Sequence, residues 1–146
     1  MNLTQTILLV EDREDDRTLM KSAMVKAQFP ASVQMVNSGE DAFAYLKGEG
    51  NYNDRSRYPL PGVVLLDLNL PMLSGFTVLA WIRSHPKLKR IPVIIWTASS
   101  RDEDVERAFE LGAAGFLVKP VAVGALITMT MHLRDWLEMN RFPSIE

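Results

Sequence analysis

The run VVLLDLNLP at residues 63–71 decides the fold that this sequence predicts. Its first four residues are apolar without alternation, as in a strand that is covered on both faces of a sheet. Similar β-rich runs are ILLV (7–10), VQMV (33–36), VIIW (93–96) and GFLV (115–118). The pattern predicts five short strands, three of them nearly continuous in apolar character.

Helix-like segments follow these strands, at residues 17–27, 39–47, 75–84, 102–111 and about 123–140. Three of them have N-terminal capping signals: Ser38 with Asp41, Ser74 before Gly75, and Ser100 with Glu103. Because parallel strands need right-handed crossovers, the alternation predicts a doubly wound α/β sheet with helices on both faces. The irregular stretch 48–62, rich in Gly, Asn and Pro, is interpreted as a solvated loop.

Composition narrows the class of protein. A length of 146 residues with 47% hydrophobic content fits one core, so we expect a single domain over 1–146 with no output domain. A net charge of -2 lacks the basic balance of a nucleic-acid binder, and zero cysteines exclude thiol catalysis and cysteine-ligated zinc. No window reaches about 18 uninterrupted apolar residues. We therefore expect a cytoplasmic protein that binds neither nucleic acid nor a membrane.

Polar side chains follow four of the five predicted strands. In open parallel sheets, ligands bind outside the carboxyl ends of the strands, where the strand order reverses. At these ends the sequence places Glu11 and Asp12, then Asp67, then Thr97, and finally Lys119 followed by Pro120. In a purely structural sheet this repetition would be a coincidence, so we predict a functional site at that edge.

Asp67 is the centre of the predicted site. It follows an apolar run and is flanked by leucines, so its carboxylate needs a partner or a proton. Lys119 could pair with it, but Glu11 and Asp12 add negative charge that an oxygen-bound divalent cation such as Mg²⁺ would compensate. The cation, Lys119 and the Thr97 hydroxyl would together bind a phosphoryl group, with Asp67 as a possible nucleophile. A flavin-phosphate site is disfavoured, because the first loop offers acids instead of donors.

Four stretches in this order carry a family resemblance: ILLVED (7–12), LLDLNLPMLSG (65–75), VIIWTAS (93–99) and GAAGFLVKP (112–120). Together they resemble the receiver domain of two-component response regulators, over residues 5–140. The resemblance implies a flavodoxin-like receiver fold with five helices and strand order 2-1-3-4-5. It implies a phosphorylation-activated, non-enzymatic regulator that receives phosphate from a sensor histidine kinase or a histidine phosphotransfer protein. Within the family, the sequence is similar to stand-alone regulators that partner bacterial phytochromes and related hybrid kinases.

The resemblance also implies the roles of the acidic residues. Asp67 would be the phosphoacceptor. Asp12 would bind Mg²⁺ directly, Glu11 would act mainly through water, and Asn69 would offer its backbone carbonyl to the metal.

The remaining roles concern the phosphoryl group and the switch. Thr97 and the backbone N–H of Ala98 would hold phosphoryl oxygens, and Lys119 would neutralise their charge, with a cis bond expected before Pro120. Phe116 matches the aromatic residue whose rotamer changes when Thr97 moves toward the phosphate. The face formed by helix 4, strand 5 and helix 5 would then change its state.

Two other classes of function stay open from the sequence. An interaction module could keep this fold without using phosphate, although the complete set of acids, Thr97 and Lys119 argues against it. A Mg²⁺-dependent phosphatase could work through an aspartyl-phosphate on a similar sheet. Such enzymes typically carry a second acid two residues after the nucleophile, where this chain has Asn69.

The acidic run after the first strand divides into two parts. Glu11 and Asp12 are predicted to face the site. Glu14, Asp15 and Asp16 are predicted to serve only the start of the first helix, because acids in a first turn complement the helix dipole.

The last helix is apolar over more than one face. Its central stripe consists of Leu126, Thr130, Leu133 and Leu137. Neighbouring apolar residues widen the arc to on the order of 240°, against the roughly 100° needed to cover a sheet. Some of this surface should stay exposed in a monomer and form an interface. The resemblance implies a homodimer through helices 4 and 5, with docking to a kinase as the alternative.

Overall fold

Strands and helices alternate along the chain as the sequence predicts. The computed structural model describes residues 6–142. Its elements are β1 Thr6–Val10, α1 Glu14–Lys26, β2 Ser32–Val36, α2 Gly39–Lys47, β3 Val63–Leu66, α3 Gly75–Ser84, β4 Val93–Thr97, α4 Asp102–Glu110, β5 Gly115–Val118 and α5 Val123–Met139. The domain expected over 1–146 includes residues 1–5 and 143–146, which lie outside the described part. No helix within that part is long and apolar enough to cross a membrane.

All strand pairs of the sheet are parallel, in the order β2-β1-β3-β4-β5. The predicted order and fold class are thus confirmed. The order reverses between β1 and β3, where Val10 is in register with Leu66. The backbone N–H of Asp67 continues this pairing by donating to the Val10 carbonyl at 3.1 Å. The residues that follow β1 and β3 are therefore brought side by side.

The core has two layers, one on each face of the sheet. Leu8, Val10 and Leu66 face one layer, which α2, α3 and Ala108 of α4 cover. Ile7 and Leu9 face the other layer, which α1 and α5 cover. Because successive strand side chains point to opposite faces, a continuous apolar run is what a strand buried on both sides requires.

Two of the three predicted helix caps are confirmed. The Ser38 hydroxyl accepts from the N–H of Asp41 at 3.1 Å, and the Ser74 hydroxyl accepts from the N–H of Thr77 at 3.4 Å. The cap predicted at Ser100 is wrong, since α4 has Arg101 at its N-cap without a side-chain cap bond. The hydroxyl of Ser99 instead donates to Asp104 at 2.6 Å, which ties the loop to the first turn.

The interpretation of 48–62 as a solvated loop is wrong in part, because Arg55 anchors its inner face. The guanidinium donates to the carbonyls of Tyr45 and Leu46 at the end of α2, each at 2.8 Å, and to the Tyr58 carbonyl at 3.1 Å. The rings of Tyr45, Tyr52 and Tyr58 pack together, and a short 3₁₀ helix spans Gly50–Tyr52. Arg55 thus provides a donor for the Leu46 carbonyl at the helix end. It adds a second donor to the Tyr45 carbonyl, which also accepts from the N–H of Gly48.

Gly75 is expected to be required for the turn that carries Asp67. A Cβ added there would lie 2.2 Å from the Asp67 carbonyl oxygen, whereas no heavy atom lies within 4 Å of a Cβ added at Gly124. We predict that Gly75→Ala lowers the free energy of unfolding by about 2–3 kcal/mol, because the backbone must move. Gly124→Ala should leave it unchanged or slightly raised. Urea unfolding followed by circular dichroism measures both, and equal stabilities would contradict this close packing.

Candidate metal and phosphoryl site

The predicted residues meet in a cleft at the carboxyl edge of the sheet. The residues that line it are Asp12, Arg13, Asp16, Asp67, Asn69, Ala98 and Lys119. Glu11 and Thr97 are both fully buried at the ends of β1 and β4. The structure thus brings five residues of the predicted site into one cleft, and the lining also includes two residues that were not predicted there, Arg13 and Asp16.

Three carboxylates converge at the point where the strand order reverses. Glu11, Asp12 and Asp67 each offer an oxygen, and these atoms lie within 4.8 Å of one another. Asp67 is 3% exposed. The Asp12 Oδ1 atom is buried and has no hydrogen-bond partner within residues 6–142. A buried oxygen without a donor is costly, and a cation would compensate it. This all-oxygen set therefore fits a hard divalent metal ion.

Lys119 neutralises part of this negative charge. Its ammonium donates to Glu11 in a short contact and to the Oδ2 atoms of Asp16 and Asp67, both at 2.8 Å. Burial alone would lower the pKa of Lys119, but the hydrogen bonds to Asp16, Asp67 and Glu11 hold it above its ordinary value. The ammonium also lies 4.8 Å from the ring centre of Trp96, a residue of the core layer that α1 and α5 cover. Lys119 is thus a charged donor fixed beside Asp67.

Burial dominates the electrostatics of Glu11. Desolvation and, to a smaller extent, the Asp67 charge raise the pKa of Glu11 to about 7, against the opposing hydrogen bond from Lys119. The backbone N–H of Arg13 donates to Glu11 Oε2 at 3.2 Å, and Arg17 donates to the Glu11 carbonyl at 2.8 Å. These bonds fix the link between β1 and α1, and so the position of Asp12.

The prediction that Asp16 serves only the start of α1 is wrong. Asp16 does lie in the first turn of this helix, together with Glu14 and Asp15. Its carboxylate nevertheless reaches Lys119 across the cleft, because α1 begins at Glu14, earlier than the predicted residue 17. No local pattern marks this contact, because Lys119 lies 103 residues away in the sequence.

Thr97 and Asn69 approach each other at the ends of β4 and β3. The Asn69 amide nitrogen lies 3.5 Å from the Thr97 hydroxyl, which also accepts from the N–H of Ser99 at 3.4 Å. The N–H of Asn69 donates to Asp67 Oδ1 at 3.1 Å. Both carboxylate oxygens of Asp67 therefore have a donor, because the Lys119 ammonium donates to Oδ2.

Phe116 and Pro120 lie outside the cleft lining. Phe116 is in register with Ile95 of β4 and packs, partly buried, against the core layer of α2 and α3. The expected cis bond before Pro120 is wrong, because no described peptide bond is cis. The trans form is the intrinsically favoured isomer, and with it the Lys119 ammonium already reaches its three carboxylates.

Comparison with known proteins agrees with this geometry. The family model described as the response regulator receiver domain matches residues 7–131. The response regulator Rcp1 of Synechocystis is 35% identical over 98% of this chain and 96% of its own length. The crystal structure of the phosphorylated cyanobacterial phytochrome response regulator RcpA is 35% identical, with a TM-score of 0.87 over 96% of this chain and 99% of that one.

A further solved structure concerns the metal. The Mn²⁺-bound form of Rcp1 is 35% identical to this chain, with a TM-score of 0.84 over 96% of this chain and 99% of that one. The family match covers more than half of the sequence, and the similarity to phytochrome response regulators extends over nearly all of it. The chain therefore belongs to the response regulator receiver domain family.

Proposed function

We propose that this protein is a phosphorylation-activated switch in which Asp67 accepts a phosphoryl group with the help of Mg²⁺. The observation that carries the proposal is the placement of Asp67, which shares a metal-compatible cluster with Glu11 and Asp12 and contacts Lys119. The donor would be a phosphohistidine of a sensor histidine kinase or a histidine phosphotransfer protein. Similarity to phytochrome response regulators supports a light-sensing or hybrid kinase as the source.

The transfer step follows from the contacts of Asp67. One carboxylate oxygen attacks phosphorus and forms the O–P bond, while the N–P bond of the phosphohistidine breaks and its electron pair returns to the imidazole. Mg²⁺ held by Glu11, Asp12, Asp67 and the Asn69 carbonyl would neutralise charge on the phosphoryl oxygens. Lys119 supplies further positive charge beside Asp67.

The switch would begin at Thr97. Its hydroxyl and the N–H of Ala98 would take up phosphoryl oxygens, which moves Thr97 away from its contact with Asn69. Thr97 is in register with Val118 on β5, one residue before Lys119. A shift at either residue would reach Phe116 and the surface of α4, β5 and α5, because these residues share one strand pair.

The site favours a phosphoacceptor over a phosphatase with turnover. Asn69 stands two residues after Asp67, where an enzyme of that kind would need an acid to handle the proton of the substrate. The Asn69 side chain instead approaches Thr97. Its amide cannot act as a general base, so the acyl phosphate would persist as a signal.

We propose that the protein forms a homodimer through α4 and α5. On α5 the buried stripe is Leu126, Thr130, Leu133 and Leu137, as predicted. Apolar surface remains outside it: Trp136 is 36% exposed, Met131 40% and Met139 77%. Trp136 also lines an apolar groove between α5 and β5. Exposed apolar surface of this kind supports a partner copy as its occupant.

The phosphoacceptor is tested with acetyl phosphate and Mg²⁺, followed by intact mass spectrometry. We expect one added phosphoryl group in the parent protein and none in Asp67→Asn, which keeps the size of the side chain but removes the nucleophilic carboxylate. Asp135→Asn, at a side chain that is 52% exposed on α5, serves as the control and should be modified normally. No adduct on the parent protein with any phosphoryl donor would overturn the proposal.

The metal ligand is tested at Asp12. We expect Asp12→Ala to abolish Mg²⁺-dependent phosphorylation and to weaken Mg²⁺ binding at least about 100-fold, as for loss of one charged ligand. Isothermal titration calorimetry gives the dissociation constant. Glu14→Ala removes an exposed acid from the same segment and should change it little. Equal affinities of the two variants would refute the assignment of Asp12.

The dimer is tested by placing a charge in the apolar surface of α5. Trp136→Glu should shift the protein from dimer to monomer in sedimentation equilibrium, with and without phosphorylation, because a buried unpaired carboxylate is costly. Val25→Glu, at an exposed position on α1, is the matched control and should keep the dimer. A parent protein that stays monomeric in both states would contradict the proposal.

A further inference from the structure

Asp16 contacts the site lysine although it does not belong to the acid cluster that fits a metal. Its Oδ2 atom accepts from the Lys119 ammonium at 2.8 Å and lies 3.4 Å from Nε of Arg13. The cluster consists of Glu11, Asp12 and Asp67. The Asp16 side chain is 21% exposed, against 3% for Asp67, so it lies toward the mouth of the cleft.

The donors of Lys119 are fully used without a metal. An ammonium group has three N–H donors, and these go to Glu11, Asp16 and Asp67. A divalent cation held by the cluster would compete for the oxygens of Glu11 and Asp67 and would repel the ammonium. Asp16 is then the acceptor that Lys119 keeps.

We infer that Asp16 is a positioning residue that retains the Lys119 ammonium outside the acid cluster and thereby strengthens binding of a divalent cation. This inference rests on the metal requirement in the proposed function. Two effects act in the same direction. The Asp16 carboxylate attracts the cation through space, and it draws the competing ammonium away from the oxygens that the cation needs.

The test is a Mg²⁺ titration that needs no phosphoryl donor. We expect Asp16→Asn to weaken Mg²⁺ binding by about tenfold, because it removes both effects. Asp15→Asn is the matched control, since Asp15 lies in the same first turn, is exposed and carries the same charge. Solvent screening should limit its effect to less than about threefold.

Two readouts separate this role from a merely structural one. Calorimetry gives the dissociation constant. Fluorescence of Trp96, in protein carrying Trp81→Phe and Trp136→Phe, reports the position of the Lys119 ammonium, which lies 4.8 Å from the Trp96 ring centre. In a Lys119→Met background, the excess effect of Asp16→Asn over Asp15→Asn should fall to the part that acts on the cation through space. Asp16→Glu, which keeps the carboxylate, should restore most of the affinity.

The outcomes distinguish this inference from the proposed function. If the parent protein binds Mg²⁺ and Asp16→Asn is no weaker than Asp15→Asn, the role of Asp16 is refuted while the phosphoacceptor stands. The same holds if the difference between the two variants is as large in the Lys119→Met background as in the parent protein. If the parent protein binds no Mg²⁺, both proposals fail. Circular dichroism of each variant checks the fold, and the Asp16→Glu result decides the matter if Asp16→Asn is unstable.

Discussion

The hydrogen bonds from Lys119 to carboxylates at the end of the sheet are the interaction on which the site depends. Four carboxylates, those of Glu11, Asp12, Asp16 and Asp67, lie in or directly under one cleft with this single lysine among them. Buried like charges disfavour the folded state unless a counter-charge is present. Lys119 compensates only part of the charge, and the remaining carboxylate oxygens fit a divalent cation.

The sheet keeps these charges together because its register leaves them no freedom to separate. Val10 pairs with Leu66, and Thr97 pairs with Val118, so each charged residue directly follows the end of a strand in the sheet. Both core layers hold these strands, with α1 and α5 on one face and α2 and α3 on the other. Close packing resists small displacements. The stability of the core thus maintains an arrangement of acids that would otherwise repel one another.

The parts of the structure that followed from the sequence are those with a strong local pattern. Continuous apolar runs such as 63–66 predict buried strands, and the hydroxyls of Ser38 and Ser74 form caps because the N–H groups that donate to them lie within the same turn. The role of Asp16 did not follow, since its contact with Lys119 spans 103 residues and depends on where α1 begins. Arg55 was missed for the same reason: its partners are carbonyls at the end of α2, and nothing near it in sequence marks them.

Lys119 also connects the site to the surface that a partner would contact. It directly follows Val118, which is 43% exposed at the end of β5, and it precedes the turn that leads into α5. A phosphoryl group on Asp67 would bring about two negative charges to a lysine whose donors are already occupied. At least one of its contacts must then be exchanged. Because that exchange would occur at the end of β5, phosphorylation of Asp67 and a partner on the exposed apolar surface of α5 would act on the same short segment.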